Sequence, residues 1–339
     1  MVPRSPVTTY PDVVRYLITG GAGFIGSHLI EALVARGDDV VCVERPGASK
    51  RWLDGLPVVF RDHGLEDPDQ LIAALDGAHV VYHLAGLTEA RRPADYYRVN
   101  TEGTARLLRA AATLDGRAPR VVLASSLAAV GPCLGEEAVS LESVPHPLSH
   151  YGQSKLLAEV MMHAYADRVP WVILRPTSVY GPREKGVLKF FQLVQHGIAL
   201  TIGAWSREVC LLYVGDLVQG LLAAGTNPDA VGRTYYLAHP KPFTWRDFAE
   251  VVGRALGRDP VLVSVPRSIA KVVALGAEVG AFLARTAAVL NRDRVREMTQ
   301  ARWVCDVGRS ISQLGFQPAF PIERGVPLTA AWYREARWI

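Results

Sequence analysis

Tyr151-Gly-Gln-Ser-Lys155 sets a phenol and an ammonium four residues apart, and Ser126 precedes them across a stretch rich in turn formers. On a helix, positions four apart share a face about one turn from each other. A free phenol titrates near ~10, too high to exchange protons readily at neutral pH. A nearby ammonium favours the phenolate, and a cationic nicotinamide would add to that effect. A Tyr tuned in this way can pass a proton to or from an alcohol or ketone oxygen. Ser126 could hydrogen-bond the same oxygen. Tyr and Lys also sit one turn apart on many solvent-facing helices, so the pattern gains force only from its surroundings.

The start of the chain supplies them. Val13 to Thr19 is an apolar run of strand length, Gly20-Gly-Ala-Gly23-Phe24-Ile25-Gly26 follows, and the next eleven residues are periodic as a helix. Gly20 suits a tight turn, Gly23 the approach of a pyrophosphate, and Gly26 close helix–strand packing. The helix then opens with free N–H groups at Phe24 and Ile25 facing the phosphates. Asp39 to Val43 reads as the second strand and ends at Glu44, whose carboxylate can accept from both adenosine ribose hydroxyls. Arg45 complicates that choice, since an Arg there can pair with a 2′-phosphate that Glu44 would repel. The expected cofactor is NAD, with NADP as the alternative.

Together these motifs resemble the extended short-chain dehydrogenase/reductase family, also called the NAD-dependent epimerase/dehydratase family. Further segments carry the likeness: Val80-Val-Tyr-His-Leu84-Ala85-Gly86, Arg98-Val-Asn100, Val121 to Ser126, Leu174-Arg-Pro176-Thr-Ser178-Val179-Tyr-Gly-Pro182 and Tyr213-Val-Gly-Asp216. Ser126 lies five residues before Gly131, as the family pattern requires, and is preferred to Ser125. The resemblance implies a doubly wound parallel α/β sheet with a smaller substrate lobe. It implies catalytic roles for Ser126, Tyr151 and Lys155. It implies cofactor contacts at Gly20, Gly23, Phe24, Ile25, Gly26, Glu44, Arg45, Asp62, His63, Leu84, Ala85, Gly86, Asn100, Tyr151, Lys155, Pro176 and Ser178. Substrate contacts fall at Thr88, Leu127, Ala128 and Val179. A homodimer built from the helices at 95–112 and 151–166 is also implied.

Size and composition are consistent with this. A chain of 339 residues with 49% hydrophobic content can hold a large α/β unit and a lobe. The expected nucleotide domain is 12–180 with 210–240 returning to it; the lobe takes 181–209 and 241–339. A net charge of +4, dispersed along the chain, gives no footprint for nucleic acid. Cys42, Cys133, Cys210 and Cys305 lack metal-ligand spacing and suit free thiols in a reducing, cytoplasmic setting; no metal is expected. Met1 to Pro11 has no apolar core and reads as a frayed arm rather than a signal peptide.

Residues 268–290 form a long apolar stretch charged only at Lys271, Glu278 and Arg285. That spacing of seven predicts an amphipathic helix rather than a membrane span. Two readings stand open: a lobe helix burying its broad apolar face, or a helix resting on a membrane surface or guarding a lipid-sized pocket.

Departures from the family pattern constrain the reaction. Leu127 and Ala128 occupy the positions where sugar-nucleotide dehydratases carry an Asp-Glu pair, which disfavours elimination of water. Ser178 stands where sugar-nucleotide enzymes usually have Asn, and Val209 where they have Arg; Arg207, two residues away, is the substitute clamp. The pattern is closest to the sterol and 3β-hydroxysteroid dehydrogenase branch. The expected activity is interconversion of an alcohol and a ketone on a fairly apolar small molecule. The alternatives are a nucleotide-sugar epimerase with tightly held NAD, and a dinucleotide sensor without turnover, which the intact Tyr and Lys disfavour.

Overall fold

The computed structural model describes residues 13–114, 116–283 and 291–339, so the amino-terminal arm lies outside the described residues. The chain begins with β1 (Arg15–Thr19), α1 (Phe24–Ala35), β2 (Asp39–Val43), β3 (Val58–Arg61), α2 (Pro68–Leu75) and β4 (Val80–His83). A helical stretch follows as α3 (Pro93–Tyr96), a π-helical segment at Tyr97–Glu102 and α4 (Gly103–Ala112). Next come β5 (Arg120–Ala124), α5 (His150–Ala164), β6 (Trp171–Pro176) and β7 (Ser178–Tyr180).

The main sheet has seven parallel strands in the order β11-β6-β5-β4-β1-β2-β3, with β11 at Arg233–Leu237. Its strands are nearly continuous apolar runs because both faces are covered. In β1 the period of two is clear: Tyr16 and Ile18 join Leu29, Ile30 and Leu33 of α1, whereas Leu17 joins Leu71, Leu107 and Met162 on the opposite face. The connections leave β1 and β4 side by side, and the strand order reverses there. A crevice opens at the carboxyl ends of strands at such a point, where ligands bind in open α/β sheets.

The second layer of the chain begins with α6 (Leu188–Gln195), β8 (Ile198–Ile202), β9 (Glu208–Val209), β10 (Leu211–Tyr213) and α7 (Val214–Thr226). After β11 follow β12 (Phe243–Thr244), α8 (Trp245–Leu256), β13 (Val261–Val265), α9 (Arg267–Leu283), α10 (Arg292–Met298), β14 (Arg302–Trp303) and α11 (Ile322–Glu335). A separate core joins Phe191, Phe248, Val252, Val326 and Tyr333 of this lobe. Thr244 caps α8 in a reciprocal box with Asp247. Leu314 and Phe316, expected in the lobe, instead pack with Leu217 and Leu221 of α7 in the core of the sheet.

Among its described side chains, helix α9 does not bury a broad apolar face. Among the described side chains, only the small residues Ala270 and Ala274 pack inward, against Ile202, Val265 and Val295. Ile269, Val272, Val273 and Leu275 are 53%, 71%, 53% and 50% exposed. Alanines permit close contact with the edge of the β8–β13 pair but leave the larger aliphatic side chains outside. Arg285, the third charge of this stretch, lies outside the described residues.

Candidate active site

The glycine turn between β1 and α1 forms one wall. Gly20 has φ +73°, and a Cβ there would lie 2.7 Å from the Ala85 nitrogen, so the turn and the end of β4 can approach only through glycine. Gly23 precedes α1 without a capping side chain, leaving the first turn, Phe24 to Gly26, directed at the crevice. Glu44 ends β2 almost fully buried, and its Oε1 accepts the Ala22 N–H at 2.6 Å. Burial raises its pKa, and the Ala22 bond opposes that shift. The carboxylate is thus held under the turn, while Arg45 is exposed. Asp62 is paired with Lys50 at 2.6 Å, and His63 places a buried Nε2 beside it with no partner among the described residues.

At the other end of the crevice, β6 stops at Pro176, and the buried Thr177 hydroxyl likewise lacks a partner. A dinucleotide fits these features. The cradle would hold the pyrophosphate, Glu44 the adenosine ribose, and the Pro176–Ser178 segment the nicotinamide end, with the orphan Thr177 hydroxyl close by. Ser178 is exposed on β7, and Val179 packs partly against the core of the sheet.

Ser126 and Tyr151 come together, with Lys155 one turn along α5. Ser126 lies just past β5, accepts the Ala128 N–H at 3.1 Å and stands close enough to the Tyr151 hydroxyl to act on its titration. Ser125 is otherwise engaged: its hydroxyl donates to Glu159, which forms a two-bond pair with Arg175 at 3.0 and 2.6 Å. That pair separates the roles of the adjacent serines. Lys155 lies one turn beyond Tyr151 on α5, nearly buried, and donates to the Ala124 carbonyl at 2.8 Å. Gly86 leaves room for it, since a Cβ there would stand 3.2 Å from its Nζ.

The electrostatics differ from the sequence expectation. Burial pushes the Tyr151 phenol up to about 12, with Ser126 pulling the other way. Burial also draws Lys155 down to about 8. The ammonium is directed at a backbone carbonyl, so the protein's own groups favour the phenol over the phenolate.

Asn100 sits in the π-helical segment. It accepts the Leu87 N–H at 2.8 Å and donates to the Leu87 carbonyl at 3.1 Å and the Ser154 hydroxyl at 2.9 Å. One amide thus ties the loop after Leu84, Ala85 and Gly86 to the catalytic helix. The π-turn, a feature often found at functional sites, was not read from the sequence. His83 was also missed. It bridges Thr19 at 2.7 Å and Thr104 at 3.0 Å, and burial beside Lys155 lowers it to about 3, so it is a neutral spacer.

Of the expected substrate residues, Thr88 is exposed in the loop after β4 and Ala128 is half-buried. Leu127 is buried with Val130, Val139, Cys210 and Tyr236 rather than open to the crevice. Arg207, the substitute clamp, is buried at 7% exposure, and its guanidinium donates to the Ala204 and Met298 carbonyls and the Thr201 hydroxyl. These bonds hold the lobe together and leave the side chain little freedom to meet a diphosphate.

Comparison with known proteins agrees with this architecture. The model of the NAD dependent epimerase/dehydratase family matches residues 16–238. A ceramide reductase from Caulobacter vibrioides is 30% identical over 325 residues, 95% of each chain. A 3β-hydroxysteroid dehydrogenase/Δ5→4-isomerase from Mycobacterium tuberculosis is 29% identical over 73% of this chain and 70% of its own. The solved UDP-glucose 4-epimerase of Thermus thermophilus in complex with NAD superposes with a TM-score of 0.77 at 25% identity, covering 95% of this chain and 100% of that one.

Two outcomes follow from the geometry. Glu44→Ala should relax a preference for NAD over NADP by removing the carboxylate aimed at the 2′ position, as read by titrating both dinucleotides into wild type and variant. A wild type that prefers NADP would show that Arg45 decides. Glu159→Ala should destabilise the fold by about 3–5 kcal/mol in urea unfolding, because it strands the largely covered Arg175 guanidinium.

Proposed function

Because the chain belongs to the NAD-dependent epimerase/dehydratase family and takes NAD as its cofactor, we propose that it interconverts a ketone and a secondary alcohol on an apolar, lipid-like molecule. One observation carries the choice of substrate class: Arg207 is engaged inside the lobe, while Ser126, Tyr151 and Lys155 stand complete. A sugar nucleotide needs charge-assisted hydrogen bonds to its diphosphate. An apolar substrate needs only area removed from water, worth about 25 cal/mol per Å². The named activities of the ceramide reductase and the steroid dehydrogenase, both on lipids, support this reading. Nucleotide-sugar epimerisation is the second reading, supported by the fold it shares with the Thermus enzyme.

In the proposed reaction Tyr151 gives or takes the proton of the substrate oxygen, and Ser126 holds that oxygen in line with it. Lys155, fixed by the Ala124 carbonyl, places its ammonium one turn from the phenol. NAD, when bound, supplies the hydride donor or acceptor and, oxidised, a positive charge that favours phenolate. The Asn100 amide keeps the loop and α5 in register while this happens.

The apolar face of α9 fits a lipid substrate. It lies next to β8 and β13, whose outward Ile198, Leu200, Val261 and Val263 are 42%, 39%, 67% and 37% exposed. Arg258, Arg267 and Lys271 lie on these segments, with Asp259 and with Glu278, which is paired with Arg292. Among the described residues no helix is long and apolar enough to cross a membrane. An aliphatic face with a basic rim suits peripheral contact with an anionic bilayer. The homodimer implied by the resemblance would use a different surface, α4 and α5, where Val160 is 47% exposed.

Tyr151→Phe should lower NADH-dependent reduction of a long-chain ketone by ~10² to 10⁴ while NAD binding by calorimetry survives. Near-normal turnover would overturn the mechanism. The protein should sediment with phosphatidylglycerol vesicles, and Val272→Asp with Leu275→Asp should release it without unfolding, since both side chains are exposed. Sedimentation unchanged in the double variant would remove the bilayer from the account.

A further inference from the structure

Shortly after β7 the backbone turns through a residue that is not glycine. Arg183 has φ +74°, a left-handed conformation that side chains disfavour. Such strain persists only where the surroundings fix a residue from several sides, and it gathers at ligand clamps and functional sites. Both neighbours of Arg183 are tied down. His28 on α1 donates from its ring Nε2 to the Pro182 carbonyl at 3.0 Å. Tyr333 on α11 donates from its hydroxyl to the Glu184 carbonyl at 2.7 Å. The strained residue is thus stretched between the glycine-turn helix and the core of the lobe.

Its side chain continues the connection. The guanidinium is only 12% exposed and donates to Glu31, also on α1, at 2.5 Å. Its Nε and Nη1 have no hydrogen-bond partner among the described residues. The guanidinium instead lies over the Trp52 ring, 5.1 Å from its centroid. A cation over an indole face is attracted more strongly as water is removed. Trp52 belongs to the loop after β2, and its ring meets those of Trp332 on α11 and Trp338 just beyond, at centroid distances of 5.6 and 6.3 Å.

These contacts span the dinucleotide crevice. In the sheet, β6 lies on one side of the junction of β1 and β4, and β2 on the other. Pro182 and Arg183 leave the β6–β7 segment, the wall assigned to the nicotinamide end. They grip α1 and the loop after β2, the walls assigned to the phosphates and the adenosine. We propose that Arg183 is a positioning residue that latches this crevice and sets the rate at which NAD leaves it. It acts through the walls: they part only when the guanidinium releases both Glu31 and Trp52. The inference goes beyond the proposed reaction and holds for either reading of it, since both take NAD. A reductase must open the latch once per turnover, whereas an epimerase could keep it closed.

The test is cofactor release. Protein loaded with NADH is mixed with excess NAD in a stopped-flow instrument, and the loss of bound-NADH fluorescence gives the dissociation rate. Arg183→Gly removes the guanidinium and suits the positive φ, so the fold should hold. NADH should leave this variant about tenfold faster than wild type, on the scale of a covered cation–ring contact with its ion pair. Association should not slow, because an unlatched crevice is easier to enter. Glu31→Gln, which leaves the backbone at Arg183 untouched, should speed release in the same direction. Arg183→Lys should fall between wild type and Arg183→Gly, since an ammonium can pair with Glu31 but has no plane to lay on Trp52. Dissociation unchanged in both Arg183→Gly and Glu31→Gln overturns the proposal. Faster release joined to slower association and a lower urea midpoint also overturns it, since that combination marks a loosened fold rather than an opened latch. Neither rate needs a substrate, so failure of the ketone reading would leave this result standing.

Discussion

The site depends on how closely the amino end of α5 approaches the turn after β5. A Cβ at Gly152 would lie 2.3 Å from the Ala128 carbonyl oxygen, so only glycine lets the two backbones meet. That contact brings Tyr151 onto Ser126, one residue earlier on α5 and two residues earlier in the turn. The Ser126 hydroxyl is steadied by the Ala128 N–H, from the residue whose carbonyl abuts Gly152. Everything else at the site maintains this approach. Asn100 ties α5 to the end of β4, Ser149 caps the helix, and α10 holds the cap. A side chain at position 152 would push the phenol away from the serine whatever the rest of the lobe did.

Much of this was legible in the chain. The glycine turn, Glu44 and the Tyr/Lys spacing are local patterns, and local patterns survive in a sequence. β2 ends where its apolar run meets Glu44. What could not be read are contacts between distant segments. Ser125 is separated by 34 positions from its Glu159 acceptor, and Ser149 by 148 from Glu297. Nothing in the neighbourhood of either serine announces the partner. The π-turn at Tyr97–Glu102 is invisible for another reason: its residues carry no local pattern that sets them apart from an ordinary helix.

The lobe shows where periodicity misleads. Helix α9 has the residues of a core helix but presents two alanines inward, because its packing partner is the edge of a two-stranded pair rather than a broad sheet. Arg207 shows the converse. As a lone cation near the expected clamp position it resembled a ligand, yet its guanidinium binds two backbone carbonyls and a threonine. Fold and cofactor were therefore read from the front half of the chain, and substrate class turns on lobe contacts that only the folded molecule displays.

The central claim is that hydride leaves the cofactor for good and appears in an apolar alcohol. NADH deuterated at the transferring position of nicotinamide C4, incubated with the protein and a long-chain ketone, tests it directly by mass spectrometry of the product. The account predicts one deuterium at the carbinol carbon for each NADH consumed. Inversion of a UDP-hexose with no net oxidation of free NADH, and no label in any ketone-derived alcohol, would contradict it.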